Sequence, residues 1–342
     1  MDLSTSYLNL HLKNPFMLGA SPISEDLDRV RRFEDAGCAA LVMHSLFEEH
    51  ITQTKPPSVY ELDRARPEVV ETFKELLALP EFPLRPGEYL EQIRRIKKAV
   101  AMPVIGSLSG SGNNSWLTYA KLMEEAGADA IELNVNKVAG SLQDSPETIE
   151  LRIEELVRTL KAMIRIPVAV KLSPFYTALT SLASRLAVAG ADGLVLFDRL
   201  HQPDVDIETL ELMPNLRLST SLELPITLRW LANLSGRVPI SLAASGGVHT
   251  ALDGIKALLS GAQAVQMVSA PLQQGPRQFQ AMTEGLQQWM QRHEYGSVPS
   301  VSGRMNLASV PDPGDLERMA YLRILQSWPR AIQVNDVDSI PG

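Results

Sequence analysis

The chain has 342 residues and a single cysteine, Cys38. One cysteine excludes an intrachain disulfide and a cysteine cluster for zinc. Cys38 lies inside an apolar run, where it reads as a small buried hydrophobe. Aromatic residues make up only 6% of the sequence, and the six histidines lack HExxH-type spacing, so no metal signature is present. Positive charge is in deficit: 32 Lys and Arg against 40 Asp and Glu give −8. Neither nucleic acid nor an anionic membrane is therefore an expected partner. No apolar run approaches the roughly 18 residues of a membrane span. The opening MDLSTSYLNLHLKNP has no basic segment followed by a long apolar one, so no signal peptide is expected. A reducing cytoplasm is the expected compartment. GxSxG elbows and Walker loops are also missing.

Eight short apolar runs are present instead, and they share a punctuation rule. Proline opens PFMLGAS at Pro15, PVIGSLSG at Pro103, PVAVKLS at Pro167 and PISLAASGG at Pro239. A glycine step opens the other four, after Gly37, Gly127, Gly190 and Gly261. Runs rich in Val, Ile, Leu, Ala and Met suit strands buried on both faces. Each glycine suits the left-handed end of a helix just before a strand. Each proline lacks an N–H and stiffens the loop feeding a strand. Amphipathic stretches between the runs predict helices over Asp26–Ala36, Tyr89–Ala99, Ser115–Glu125, Pro146–Met163, Thr177–Val188, Thr250–Leu259 and Phe279–His293. The expected fold is a TIM (β/α)8 barrel over residues 1–293 with extended βα loops. A tail, 294–342, with a helical pattern at Leu316–Ser327, reads as a covering appendage. Two long excursions, Glu48–Glu88 and Leu200–Gly236, exceed a simple connection and are expected near the active site.

In such a barrel the chemistry sits where strands end. The eight ends offer Ala20 and Ser21, His44, Ser107, Asn134 to Lys137, Lys171, Asp198, Ser245 to Gly247, and Val268 with Ser269. Bare backbone at Ser245-Gly246-Gly247 and at Val268-Ser269 matches the phosphate site that barrels often build after strands seven and eight. Gly-Gly also makes an ordinary turn. Lys171 emerges at a strand end, and a buried ammonium needs a partner. That partner is either Glu132 or Asp198 in a structural network, or a bound anion.

Together KNPFMLGAS, VIGSLSG, KLMEEAGADAIELN, VAVKLSP and SGGVHTALDGIKALLSGAQAVQMVSA resemble the dihydroorotate dehydrogenases, FMN-dependent barrels, and most closely their soluble class 1 branch. The resemblance spans about residues 3–290. It implies an FMN site with Ala20 and Ser21 against the ring system, Ser107 and Asn134 nearby, and Lys171 at the flavin N1/O2 edge. It also implies that Ser245, Gly246, Gly247, Val268 and Ser269 hold the phosphate. Proton transfer would fall to Lys137, at the family's Cys/Ser base position, or to His44; Asn136 and Asp198 would meet substrate.

The substrate side departs from the family pattern. Asn-x-Ser-(Cys/Ser)-Pro-Asn becomes Asn134-Val135-Asn136-Lys137-Val138-Ala139, the family lysine after strand two aligns with His44, and an orotate-binding Asn aligns with Asp198. An aspartate only accepts hydrogen bonds at neutral pH and adds negative charge. The implied activity is oxidation of dihydroorotate to orotate in pyrimidine synthesis with a soluble electron acceptor such as fumarate. The altered residues leave open a different substrate. Still open are a flavin-free phosphate-binding aldolase or isomerase, with Lys171 as Schiff-base amine, and a non-catalytic sensor. The partners expected are a small-molecule substrate and a possible second copy in a homodimer.

Overall fold

The eight apolar runs form a closed ring of parallel strands in the computed structural model, which describes residues 1–53, 84–110, 114–135, 138–199, 203–213 and 217–332. The strands are β1 (Phe16–Leu18), β2 (Leu41–Val42, resuming as Leu46–Phe47), β3 (Val104–Ser109) and β4 (Ala130–Asn134). They continue as β5 (Val168–Leu172), β6 (Gly193–Leu196), β7 (Ser241–Ser245) and β8 (Ala264–Met267). Each pairs in parallel with the next, and β8 returns to β1 with Val265 opposite Phe16 and Met267 opposite Leu18. This is a TIM barrel.

One long helix follows each strand: α1 (Leu27–Asp35), α2 (Pro86–Ala99), α3 (Thr118–Glu125), α4 (Pro146–Met163), α5 (Leu179–Ala189), α6 (Leu224–Leu234), α7 (Ala251–Ser260) and α8 (Arg277–Arg292). A further helix, α9, covers Pro313–Ile332. Local chemistry explains the starts. The Ser145 side chain accepts from Thr148 N at 3.1 Å with Pro146 in the first turn of α4. Thr250 and Asp253 form a reciprocal capping box on α7.

The Leu200–Gly236 excursion contains a helix absent from the expected set, α6, and a short antiparallel pair, Asp204–Asp206 with Glu211–Met213. Pro225 lies in the first turn of α6, where its missing N–H has no intrahelical role. Of the Glu48–Glu88 excursion, residues 54–83 lie outside the described residues. Its end is already helical, since α2 begins one turn before the expected Tyr89.

The N-terminal rim is fastened by a device used twice. Asp129 Oδ2 accepts from Val104 N at 2.7 Å and pairs with Lys97 Nζ at 2.7 Å. One βαβα unit later, Asp192 Oδ2 accepts from Val168 N at 2.8 Å and pairs with Lys161 Nζ at 2.8 Å. In each case the aspartate follows the Gly-Ala step and satisfies the first N–H of the preceding strand. The four punctuating glycines take φ values between +100° and +121°, the left-handed side that a side chain disfavours.

A hairpin, Thr5–Tyr7 with Leu10–Leu12, stoppers the barrel base. Its turn residues Leu8 and Asn9 have φ of 54° and 59°. Tyr7, Leu8 and Leu12 are buried against the inward residues Met17, Ile105, Ala130, Ala169, Val195, Ala243 and Ala264. Four alanines among these leave room for the plug. Gly193 shows the same fit, since a Cβ there would lie 2.6 Å from Leu8 Cδ2. The tail returns to this end: Gly303 N and Met305 N donate to Leu258 O and Leu259 O of α7, and Leu307 N to Ala232 O of α6.

Candidate active site

Strand alternation makes Ala130, Glu132 and Asn134 of β4 point the same way, into the barrel. The inner wall therefore rises from the alanine layer to a polar layer and then to the mouth. In the polar layer Lys171 Nζ lies 3.1 Å from Glu132 Oε1 and 3.5 Å from Gln266 Oε1, while Gln266 Nε2 donates to Glu132 Oε2 at 2.6 Å. All three side chains are buried. Burial alone would lower the Lys171 pKa, but attraction to Glu132 and Asp198 and the hydrogen bond to Glu132 outweigh it. The net direction is upward, so Lys171 is an ammonium at neutral pH. Of the two sequence readings, the Glu132 network is present. A bound anion is not required to account for the lysine.

Asn134 closes β4 at the mouth, and its Nδ2 donates to Asp198 Oδ2 at 3.0 Å. Ser107 Oγ of β3 lies 2.9 Å from Ser45 Oγ. His44, one residue earlier, meets the β1–α1 loop and α2: its Nδ1 is 3.3 Å from Ser24 Oγ and its ring stands edge-on to Tyr89. Burial, with a smaller contribution from His50, pushes the His44 pKa down to about 4. The ring is therefore neutral at pH 7, and the 3.9 Å approach to Glu25 is not an ion pair there. A base of that pKa is weak.

At the other side of the mouth, β7 and β8 build a cup. Gly246 and Gly247 have φ of 84° and 73°. A Cβ on Gly247 would lie 2.5 Å from Leu224 N, whereas one on Gly246 would meet nothing within 4 Å among the described residues. Gly247 N donates to Ser219 Oγ at 3.3 Å, Ser219 N donates to Ser269 Oγ at 3.0 Å, and the two hydroxyls are 2.9 Å apart. His249 Nε2 is 3.4 Å from Ser219 Oγ. Small hydroxyls and an imidazole thus converge beside Gly246, with the Gly247 and Ser219 N–H groups donating to the two hydroxyls.

The remaining expected residues are close to strand ends. Ala20 is half-buried, and Ser21 is buried with a hydroxyl that has no partner among the described residues. Ser245 accepts from Phe197 N at 3.1 Å through its carbonyl. Val268 precedes the short helix Ser269–Gln274. Asn136 and Lys137 lie outside the described residues. Cys38 is buried with its thiol 3.1 Å from Ala40 O, and burial pushes its pKa up to about 12, so it is not a nucleophile at neutral pH.

Ser219, Tyr89 and Gln266 escape the sequence reading, whereas Ser45 follows His44 at the end of the second strand. Ser219 was recoverable, because Thr220 and Glu223 form a capping box just before α6. That signature would have ended the loop at the cup.

The dihydroorotate dehydrogenase family profile matches residues 2–290. Among curated relatives, the dihydroorotate dehydrogenase B (NAD(+)) catalytic subunit of Thermoplasma acidophilum is 27% identical, over 88% of this chain and 98% of its own length. The NAD-dependent dihydropyrimidine dehydrogenase subunit PreA of Escherichia coli K12 is 26% identical, over 94% of this chain and 82% of its own. A putative dihydroorotate dehydrogenase A (fumarate) of Aeropyrum pernix is 25% identical, over 88% and 97%. With a match over nearly the whole barrel, the chain belongs to the dihydroorotate dehydrogenase family.

Proposed function

We propose that this oxidoreductase binds FMN in the barrel mouth and catalyses hydride transfer at a CH–CH bond of a small dihydropyrimidine-like substrate, dihydroorotate being the first candidate. The observation that carries this reading is the buried Lys171 ammonium, at the end of a strand whose neighbours also open on the mouth. A permanent cation there stabilises negative charge at the pyrimidine edge of a flavin. The fit is supported by the space over Gly246 and the buried Ser21 hydroxyl, neither of which meets a partner among the described residues, and by the Ser219/Ser269/Gly247 cup proposed for a phosphate. Bound FMN supplies a two-electron, hydride-accepting centre.

The chain's own residues then divide the work. Ser21 and Asn134 orient groups in the mouth, with Ala20, Ser107, Ser245, Val268 and Ser269 completing the cofactor wall. Lys171, fixed by Glu132, holds a positive charge in place without reorganising. His44 is too weak a base at neutral pH, which leaves Lys137 as the residue to take the substrate proton. A retained charge on Lys171 also disfavours the aldolase reading, because a Schiff base requires the neutral amine.

One observation favours a second substrate. Asp198 brings a carboxylate to the amide of Asn134. A neutral dihydropyrimidine avoids the repulsion that the carboxylate of dihydroorotate would meet there. The deciding experiment is anaerobic mixing of the purified flavoprotein with dihydroorotate or with dihydrouracil. Loss of flavin absorbance with dihydroorotate supports the first substrate, and loss only with dihydrouracil supports the second. A colourless protein that takes up no FMN overturns the cofactor assignment. In the active enzyme, Lys137→Ala should leave FMN bound and abolish reduction; full activity removes Lys137 from proton transfer.

A further inference from the structure

The cup beside Gly246 holds a chain of hydrogen bonds that runs in one direction. Ser269 Oγ accepts from Ser219 N at 3.0 Å and from Ser219 Oγ at 2.9 Å. A hydroxyl oxygen has two lone pairs and one proton. Both lone pairs of Ser269 are therefore filled, and only its proton remains to be given. Among the described residues nothing accepts that proton.

Ser219 is constrained in turn. Its one proton goes to Ser269, so towards every other neighbour its oxygen can only accept. Gly247 N donates to it at 3.3 Å, and His249 Nε2 lies 3.4 Å away. The imidazole must then carry a hydrogen on Nε2, an assignment made by the network. The order is His249 Nε2–H to Ser219 Oγ–H to Ser269 Oγ–H, with the last donor open.

The backbone fixes His249 for this task. Its N–H donates to Asp253 Oδ2 of α7 at 3.1 Å, and its carbonyl accepts from Gln278 Nε2 of α8 at 2.6 Å. Aligned hydrogen bonds polarise one another, so the imidazole strengthens a donor two groups away. A chain ending on an open O–H takes an acceptor, and an anionic one best. We infer that His249 sets the phosphate preference of the cup, orienting the Ser219 and Ser269 hydroxyls so that Ser269 donates to the phosphate monoester of the flavin. His249 is a positioning residue, acting through two serines. The inference rests on the flavin reading and adds to it the group that tells FMN from its dephosphorylated form.

Equilibrium binding of FMN and of riboflavin to the full chain, followed by quenching of flavin fluorescence, tests it. The wild type should bind FMN more tightly than riboflavin. His249→Phe should weaken FMN about tenfold, the scale of one hydrogen bond to a charged group, and leave riboflavin within about twofold. His249→Gln keeps an N–H donor and should recover most of that loss. Ser219→Ala combined with His249→Phe should cost no more than Ser219→Ala alone, because the chain is already broken. An FMN affinity untouched by His249→Phe overturns the inference, as does equal weakening of both flavins, the mark of a merely structural ring. Additive losses, or a His249→Gln variant as weak as His249→Phe, overturn the chain of donors. A wild type that binds riboflavin as tightly as FMN overturns the inference while the flavin reading stands. A wild type that binds neither overturns both.

Discussion

The hydroxyl of Tyr89 stands in for a missing strand beside Ser107. Ser107 N donates to Tyr89 Oη at 3.1 Å, and Tyr89 Oη donates to Ser107 O at 3.3 Å. Between Val42 and Leu46 the second strand leaves the ladder, and a helix side chain fills the vacancy in the wall. Because Ser107 Oγ holds Ser45 at the mouth, this repair also sets the position of a hydroxyl pair in the site.

Tyr89→Phe should strand a buried N–H and a buried C=O while keeping the ring. The expected loss is about 1–3 kcal/mol of folding stability, read from urea unfolding. An unchanged midpoint with an unchanged slope would contradict the bridging role.

Removing Lys171 while leaving Glu132 exposes the cost of an uncompensated buried charge. Lys171→Met should destabilise the fold by about 3–5 kcal/mol. Adding Glu132→Gln to that variant should recover part of the loss, since the residual amide no longer demands a cation. A double variant less stable than Lys171→Met alone would refute the pairing. If FMN sits in the mouth as proposed, its retention should fall in both variants.

The neutral, buried His44 should be visible in the acid limb of the stability curve. Its folded pKa of about 4 lies below the ordinary value of 6.5. Stability from a depressed pKa is fully present above the unfolded value and is lost as pH falls through the folded one. The contribution is at most about 3 kcal/mol, and the loss should run from about pH 6.5 to pH 4. Comparing wild type with His44→Asn across that window isolates it. Parallel curves for the two proteins would show that the imidazole is not held neutral.

Two adjacent glycines should separate fold from ligand. Gly247→Ala drives a methyl into the backbone at Leu224 and should destabilise the protein strongly. Gly246→Ala meets no atom of the described residues within 4 Å, so the cost expected is that of the positive φ, about 1 kcal/mol. If the cup holds phosphate, Gly246→Ala should lose FMN out of proportion to its small loss of stability. Normal flavin content in that variant would empty the cup of its proposed occupant.

The barrel was legible because its punctuation is local. Gly127 and Gly190 end helices, Pro103 and Pro167 precede strands, and these signals lie within a few residues of what they control. Counting from them correctly put Lys171 and Asn134 at strand ends. The double use of Asp129 and Asp192 was not legible, because each pairing joins residues about 30 positions apart through closure of the sheet. The cup was only half visible for the same reason: Ser219 reaches Ser269 across 50 positions. His44 shows another limit. Its place in the chain suggests the mouth, but a break in β2 gives Ser45 the contact with Ser107 and leaves the imidazole against Tyr89.

The hairpin under the barrel has a kinetic consequence. With Leu8 wedged beneath Gly193 and the alanine layer closed over it, the tube has a floor. The floor closes the inner end of the tube, so if one small molecule gives up electrons in the mouth and a second collects them there, as proposed, they cannot queue from opposite ends. Sharing one site, they would take turns at the same threshold, the first product leaving before the second reactant enters. Initial-rate plots at varied concentrations of both should then run as parallel lines.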